Sequence, residues 1–191
     1  MRHLRALRFL PILLIAAPMA QAHPGHGPVD FLSGLVHPLT GWDHVLAMVA
    51  VGIWATQLGG RARWAIPAAF VGAMILGAAA GIAGYAPHGV ETGVLASVLV
   101  LGMLVASAAR LPLGAGFALI ALAGAFHGAA HGAEMPPQAD SLRFLGGMIV
   151  ATAALHAAGV AAGLAAMRRN PVLLRWAGAA ILGGGVALLC A

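Results

Sequence analysis

One cysteine, Cys190, stands in a chain of 191 residues, next to its C-terminus. A single thiol can build neither an intrachain disulfide nor a thiolate metal centre, so Cys190 reads as packing at a helix end. Charge is scarce too: Asp, Glu, Lys and Arg together make 8% of positions, against 61% hydrophobic ones. Soluble domains carry about 25% charged residues, and a water-soluble domain of this length could not hide so much apolar surface. Lipid must be part of the solvent. The length suits one domain of about six or seven spans at roughly 20 residues each.

Several motifs are missing as well. No Walker sequence is present, which argues against an ATP-driven pump in this chain. No His-Glu-x-x-His or Cys-x-x-Cys-His occurs, which argues against a membrane metallohydrolase or a haem protein. The chain is therefore read as a non-enzyme. The formal charge of +5 invites a nucleic-acid partner, but Arg2, Arg5 and Arg8 precede an apolar run and would leave with it. The seven remaining arginines exceed the five acids by only two, and no basic face is left for phosphates.

The first residues have the form of a processing signal. Residues 1–8 are a positive n-region, 9–17 an apolar h-region, and Ala20-Gln21-Ala22 a small-x-small cleavage site. No cysteine follows, so a lipoprotein anchor is excluded. The expected layout is a signal peptide over 1–22, an outer His/Pro/Gly-rich segment over 23–36 and a six-helix transmembrane domain over 37–191. The mature N-terminus at His23 would be periplasmic and the chain multi-pass in a bacterial inner membrane. An uncleaved seventh helix is the alternative, and it leaves the downstream topology unchanged.

Pro, Gly and Arg clusters such as Gly59-Gly60-Arg61 and Arg168-Arg169-Asn170-Pro171 break the apolar runs. They predict helices at about 38–56, 64–84, 92–109, 113–132, 141–167 and 172–190. Arg61, Arg63, Arg110, Arg168, Arg169 and Arg175 then fall inside and only Arg143 outside, as the positive-inside bias requires. Asp30, Glu91, Glu134 and Asp140 fall outside. Glycines four apart (Gly77 and Gly81; Gly124, Gly128 and Gly132; Gly159 and Gly163) predict ridges where helices approach closely.

Ionisable groups inside hydrocarbon are costly and usually face the bundle interior or a pathway. The first helix opens His37-Pro38-Leu-Thr-Gly41-Trp-Asp43-His44, followed by Met48. Pro38 suits a first helical turn, which puts His37 at the outer entrance. His37, Gly41, His44 and Met48 form one stripe, with Asp43 either a ligand or an orienting partner for an imidazole. Met48 reads as packing. In the fourth helix His127, His131 and Glu134 share a face. His127 comes to the depth of Asp43 and His44, and imidazole with carboxylate suits nickel, cobalt or zinc.

Three further places stay open. His156 is either an inner relay site or a buried neutral histidine bonded to a hydroxyl or carbonyl. His23 and His26 either capture metal loosely at the mature N-terminus or form a plain exposed tail. His88 and Glu91 read as solvated loop residues.

The pattern His37-Pro-x-x-Gly41-x-Asp43-His44 with Met48, joined to Phe126-His127-Gly128-x-x-His131-Gly132-x-Glu134, resembles the HupE/UreJ family. These are small membrane proteins of hydrogenase and urease systems regarded as nickel or cobalt permeases. The likeness spans nearly the whole chain. It implies that His37, Asp43, His44, His127, His131 and Glu134 line a metal route, with hydrogenase or urease maturation proteins as partners. The expected function is a secondary permease for a divalent metal, with a non-transporting metal-binding assembly factor as the alternative.

Overall fold

The computed structural model describes residues 30–135 and 139–191. The signal segment, His23 and His26 lie outside the described residues. Seven helices are described: α1 (Phe31–Thr40), α2 (Trp42–Leu58), α3 (Ala62–Ile82), α4 (Val90–Ser107), α5 (Leu113–Ala133), α6 (Ser141–Arg169) and α7 (Val172–Leu189). Five of them, α3 to α7, are long and apolar enough to cross a membrane.

The predicted first helix is corrected. Helical structure begins at Phe31, ahead of His37, and breaks at Gly41. Asp30 caps α1: its carboxylate accepts the N–H groups of Leu32 and Ser33 at 3.0 and 3.1 Å, and the Ser33 hydroxyl accepts the Asp30 N–H at 2.8 Å. Pro38 therefore sits in the last turns of α1 instead of opening a helix. Its ring cannot donate to the Gly34 carbonyl, which helps explain why α1 runs only to Thr40. The break also ends the single stripe from His37 to Met48.

Glycine spacing decides which helices meet. A side chain on Gly124 or Gly128 of α5 would run into the carbonyl oxygens of Phe70 and Met74 on α3, and one on Gly77 of α3 into that of Ala125. The two backbones are thus in near contact, as four-residue glycine spacing allows. The long α6 carries both halves of the broken helix. Gly34 of α1 lies on the Phe144 carbonyl and Gly52 of α2 on that of His156. Gly59 and Gly60, at φ 75° and 52°, supply the left-handed turn that ends α2 ahead of Arg61.

The Arg-rich end of the bundle is tied by polar contacts: Trp54 Nε1–H donates to the Ala109 carbonyl at 2.9 Å, Gln57 to Val105 at 3.0 Å and Arg175 to Ala106 at 3.0 Å. The five acids gather toward the opposite end, where His37, His44, His88 and His131 also lie.

Candidate metal centre

The site is built around the helix break. Gly41 adopts an extended conformation (φ −94°, ψ 117°) and starts α2. A Cβ there would press on Asp43 Oδ1 at 2.7 Å and His44 Nδ1 at 3.0 Å, so a larger residue would collide with the pair. Asp43 stands in the first turn of α2, where backbone N–H groups lack helical partners. Its Oδ1 accepts the His44 backbone N–H at 2.8 Å and the His44 Nδ1–H at 2.6 Å.

From there the chain of contacts continues outward. His44 Nε2 is 2.7 Å from His131 Nε2, and His131 Nδ1 is 2.9 Å from His37 Nε2. A neutral imidazole has one donor and one acceptor nitrogen, so the Asp43 carboxylate fixes the direction of the whole chain. We assign His44 as the Nδ1–H tautomer, His131 as Nε2–H and His37 as Nε2–H. His37 Nδ1 is then left as an open lone pair. Burial chiefly, and His44 next, hold the His37 imidazole below its ordinary pKa against the opposing pull of Asp43. A neutral ring is the form that binds metal.

One donor atom from each of His37, His131 and Glu134 lies within 4.8 Å of the others, a grouping able to hold a cation. His127 lies one step deeper. Its ring centroid is 5.0 Å from that of His44, and its Nδ1–H donates to the Ala123 carbonyl at 2.9 Å. That leaves His127 Nε2 an acceptor, fully buried and without a partner among the described residues. Buried polar atoms are rarely left so. A cation is a partner that suits it.

The structure thus brings together His37, Asp43, His44, His127, His131 and Glu134, drawn from α1, α2 and the end of α5. α5 packs chiefly on α3 and α4; its histidines meet α1 and α2 at this end, and its Gly116 meets Trp54 of α2 at the other. His156 lies apart on α6. Neither of its nitrogens has a partner among the described residues, so of the two readings left open for it the bond to a nearby hydroxyl or carbonyl is not found there. His88 is exposed in the loop before α4.

Two residues near the cluster are not singled out by the sequence as neighbours of the site. Glu91 opens α4 instead of lying in a loop, at the same end of the bundle as Asp43 and Glu134. Phe70 is fully buried, with its ring centroid 5.3 Å from His127 and 5.1 Å from His156. An acid just after Gly89 is a usable signal for the first; nothing distinguishes Phe70 from other apolar residues of its helix.

Comparison with known proteins decides the family. The model of the HupE / UreJ protein family matches residues 11–188. The chain belongs to the HupE/UreJ family. Among curated relatives, "Protein HupE" of Rhizobium leguminosarum bv. viciae is 41% identical over 174 residues, covering 90% of each chain. No solved structure matches. As a HupE/UreJ protein with five helices able to cross a membrane, the chain is a multi-pass membrane protein.

Proposed function

We propose that the protein is a secondary permease for a divalent transition metal, nickel first and cobalt as the alternative, supplying a metalloenzyme such as a hydrogenase or urease. The observation that carries this reading is the Asp43–His44–His131–His37 chain, with nitrogens 2.7 and 2.9 Å apart. These imidazole nitrogens, with the carboxylates of Asp43 and Glu134, form a nitrogen and oxygen donor set of the kind that nickel and cobalt accept.

In this reading α2 to α7 make six crossings, the Arg-rich end is cytoplasmic and the histidine mouth is periplasmic. The uneven arginines support that orientation. Acids at the mouth raise the local cation concentration. An inside-negative potential drives entry: about 2.3 kcal/mol per charge per 100 mV gives about 4.6 kcal/mol for a dication, roughly a 2,000-fold accumulation limit.

The test is radioactive nickel uptake by the purified chain in liposomes under a potassium-diffusion potential. Accumulation should follow the inside-negative potential and vanish when it is reversed. Uptake equal to protein-free vesicles would overturn transport, and metal binding without uptake would support the assembly-factor alternative.

The Asp43→Asn variant separates the carboxylate's charge from its shape. The amide oxygen of the new side chain can still accept the backbone N–H, so the fold should survive. The imidazole chain loses the charge that sets its direction, and nickel affinity should fall about 10- to 100-fold. Equilibrium dialysis of the two proteins reads this directly; equal affinities would contradict it.

A further inference from the structure

The interface of α3 with α6 carries a second set of donors that the outer cluster does not use. Phe70 and Met74 are four apart on α3, and Thr152 and His156 are four apart on α6. Each pair therefore shares one helix face. The pairs meet in register across the interface. The Phe70 ring stands edge-on to the His156 ring, with centroids 5.1 Å apart at 89°, and the Thr152 hydroxyl donates to Met74 Sδ at 3.7 Å. All four side chains are buried, none more than 2% exposed.

Two features of this set have no packing explanation. Both ring nitrogens of His156 lack a hydrogen-bond partner among the described residues. Thr152 gives its hydrogen to a thioether, when helical threonines usually bond back to their own carbonyls. A buried imidazole left empty-handed is destabilising unless something visits it.

We propose that His156, with the Thr152 hydroxyl oxygen and the Met74 sulfur one turn outward, is an inner coordination station for a partly dehydrated divalent cation. The Phe70 ring, which also touches His127 at 5.3 Å, separates it from the outer cluster. This rests on the permease reading and extends it inward. The outer cluster holds Asp43 and Glu134, whereas the inner set is neutral: imidazole, hydroxyl and thioether. A neutral set holds a dication loosely, and conduction needs sites weak enough to be left.

The experiment uses the full chain in lipid nanodiscs, with nickel alone as the probe. Equilibrium dialysis should give a tight and a weak equivalent. The His156→Leu variant should lose the weak equivalent and keep the tight one within about 2-fold, as independent sites do. Its nickel uptake in liposomes should fall at least about 10-fold. X-ray absorption of the doubly loaded protein should detect sulfur beside nickel, and the volume-conserving Met74→Leu variant should remove it. If His156→Leu fails to fold, the Met74→Leu spectrum decides alone.

A purely structural His156 gives the opposite pattern. His156→Leu would then melt at a higher temperature, keep both equivalents and transport normally, and the inner station would be overturned. A missing sulfur signal in the wild type would overturn the thioether's part. Failure of the permease reading looks different: the wild type itself would not accumulate nickel, whatever His156 binds.

Discussion

The His44→Ala variant should take up nickel no faster than protein-free vesicles. His44 is the one side chain that touches every level of the cluster: Asp43 through Nδ1, His131 through Nε2 and the His127 ring at 5.0 Å. Its removal detaches the carboxylate from the imidazole chain and leaves the His131 Nε2–H without an acceptor. Losing a partner that merely supports a ligand costs about 10- to 100-fold in metal affinity, so losing this junction should exceed roughly 100-fold. The orphaned donor costs about 1–3 kcal/mol of stability, small enough for the variant to be purified and assayed. His127→Ala, which removes the open Nε2 but leaves the outer chain whole, should slow uptake while sparing the first binding event. Normal uptake by His44→Ala would remove the outer cluster from the route.

The largest effect on folding should come from Gly128→Leu. A Cβ at Gly128 would collide with the Met74 carbonyl oxygen and come within 2.7 Å of the Ala78 backbone nitrogen. Both are backbone atoms of α3, which cannot swing aside as a side-chain tip would. Overpacking a core typically costs about 1–3 kcal/mol, and a backbone obstacle across the α3–α5 contact should reach or exceed the top of that range. The expected result is loss of monodisperse protein, or a large drop in melting temperature in detergent. Gly72, also on α3, has nothing within 4 Å of where a Cβ would stand. Gly72→Ala should therefore leave stability unchanged or slightly raised, since alanine favours a helix by about 1 kcal/mol. Equal behaviour of the two variants would mean that helix propensity, and not the α3–α5 approach, governs this protein.

The glycine ridges are legible in the sequence because four-residue spacing has one physical meaning in lipid, and α3 meets α5 along them. The convergence of His37, His44, His127 and His131 is legible because polar side chains in apolar helices must turn toward one another. The break at Gly41 is not. Pro38 looks like a helix start, yet the stronger signal, Asp30 with Ser33 three residues on, stands upstream of it. Pairings across helices stay hidden for a different reason. Thr152 meeting Met74, and Phe70 lying between two histidines, depend on the register of α3 against α6, which no local pattern encodes. The unsatisfied nitrogens of His156 likewise emerge only when every neighbour is placed.

The length of α6 has a consequence for the mouth of the site. Its 29 residues extend roughly 43 Å at 1.5 Å each, against a hydrocarbon thickness of about 30 Å. α1 lies along the first turns of α6, at Phe144 and Gly147. On the permease reading, an overhang at that end would serve as a ledge for α1 and lift His37 toward the headgroups while His44 stays beneath them. Bilayer thickness should accordingly set how much water the first imidazole meets, so lipids of different chain length would tune capture without altering a residue.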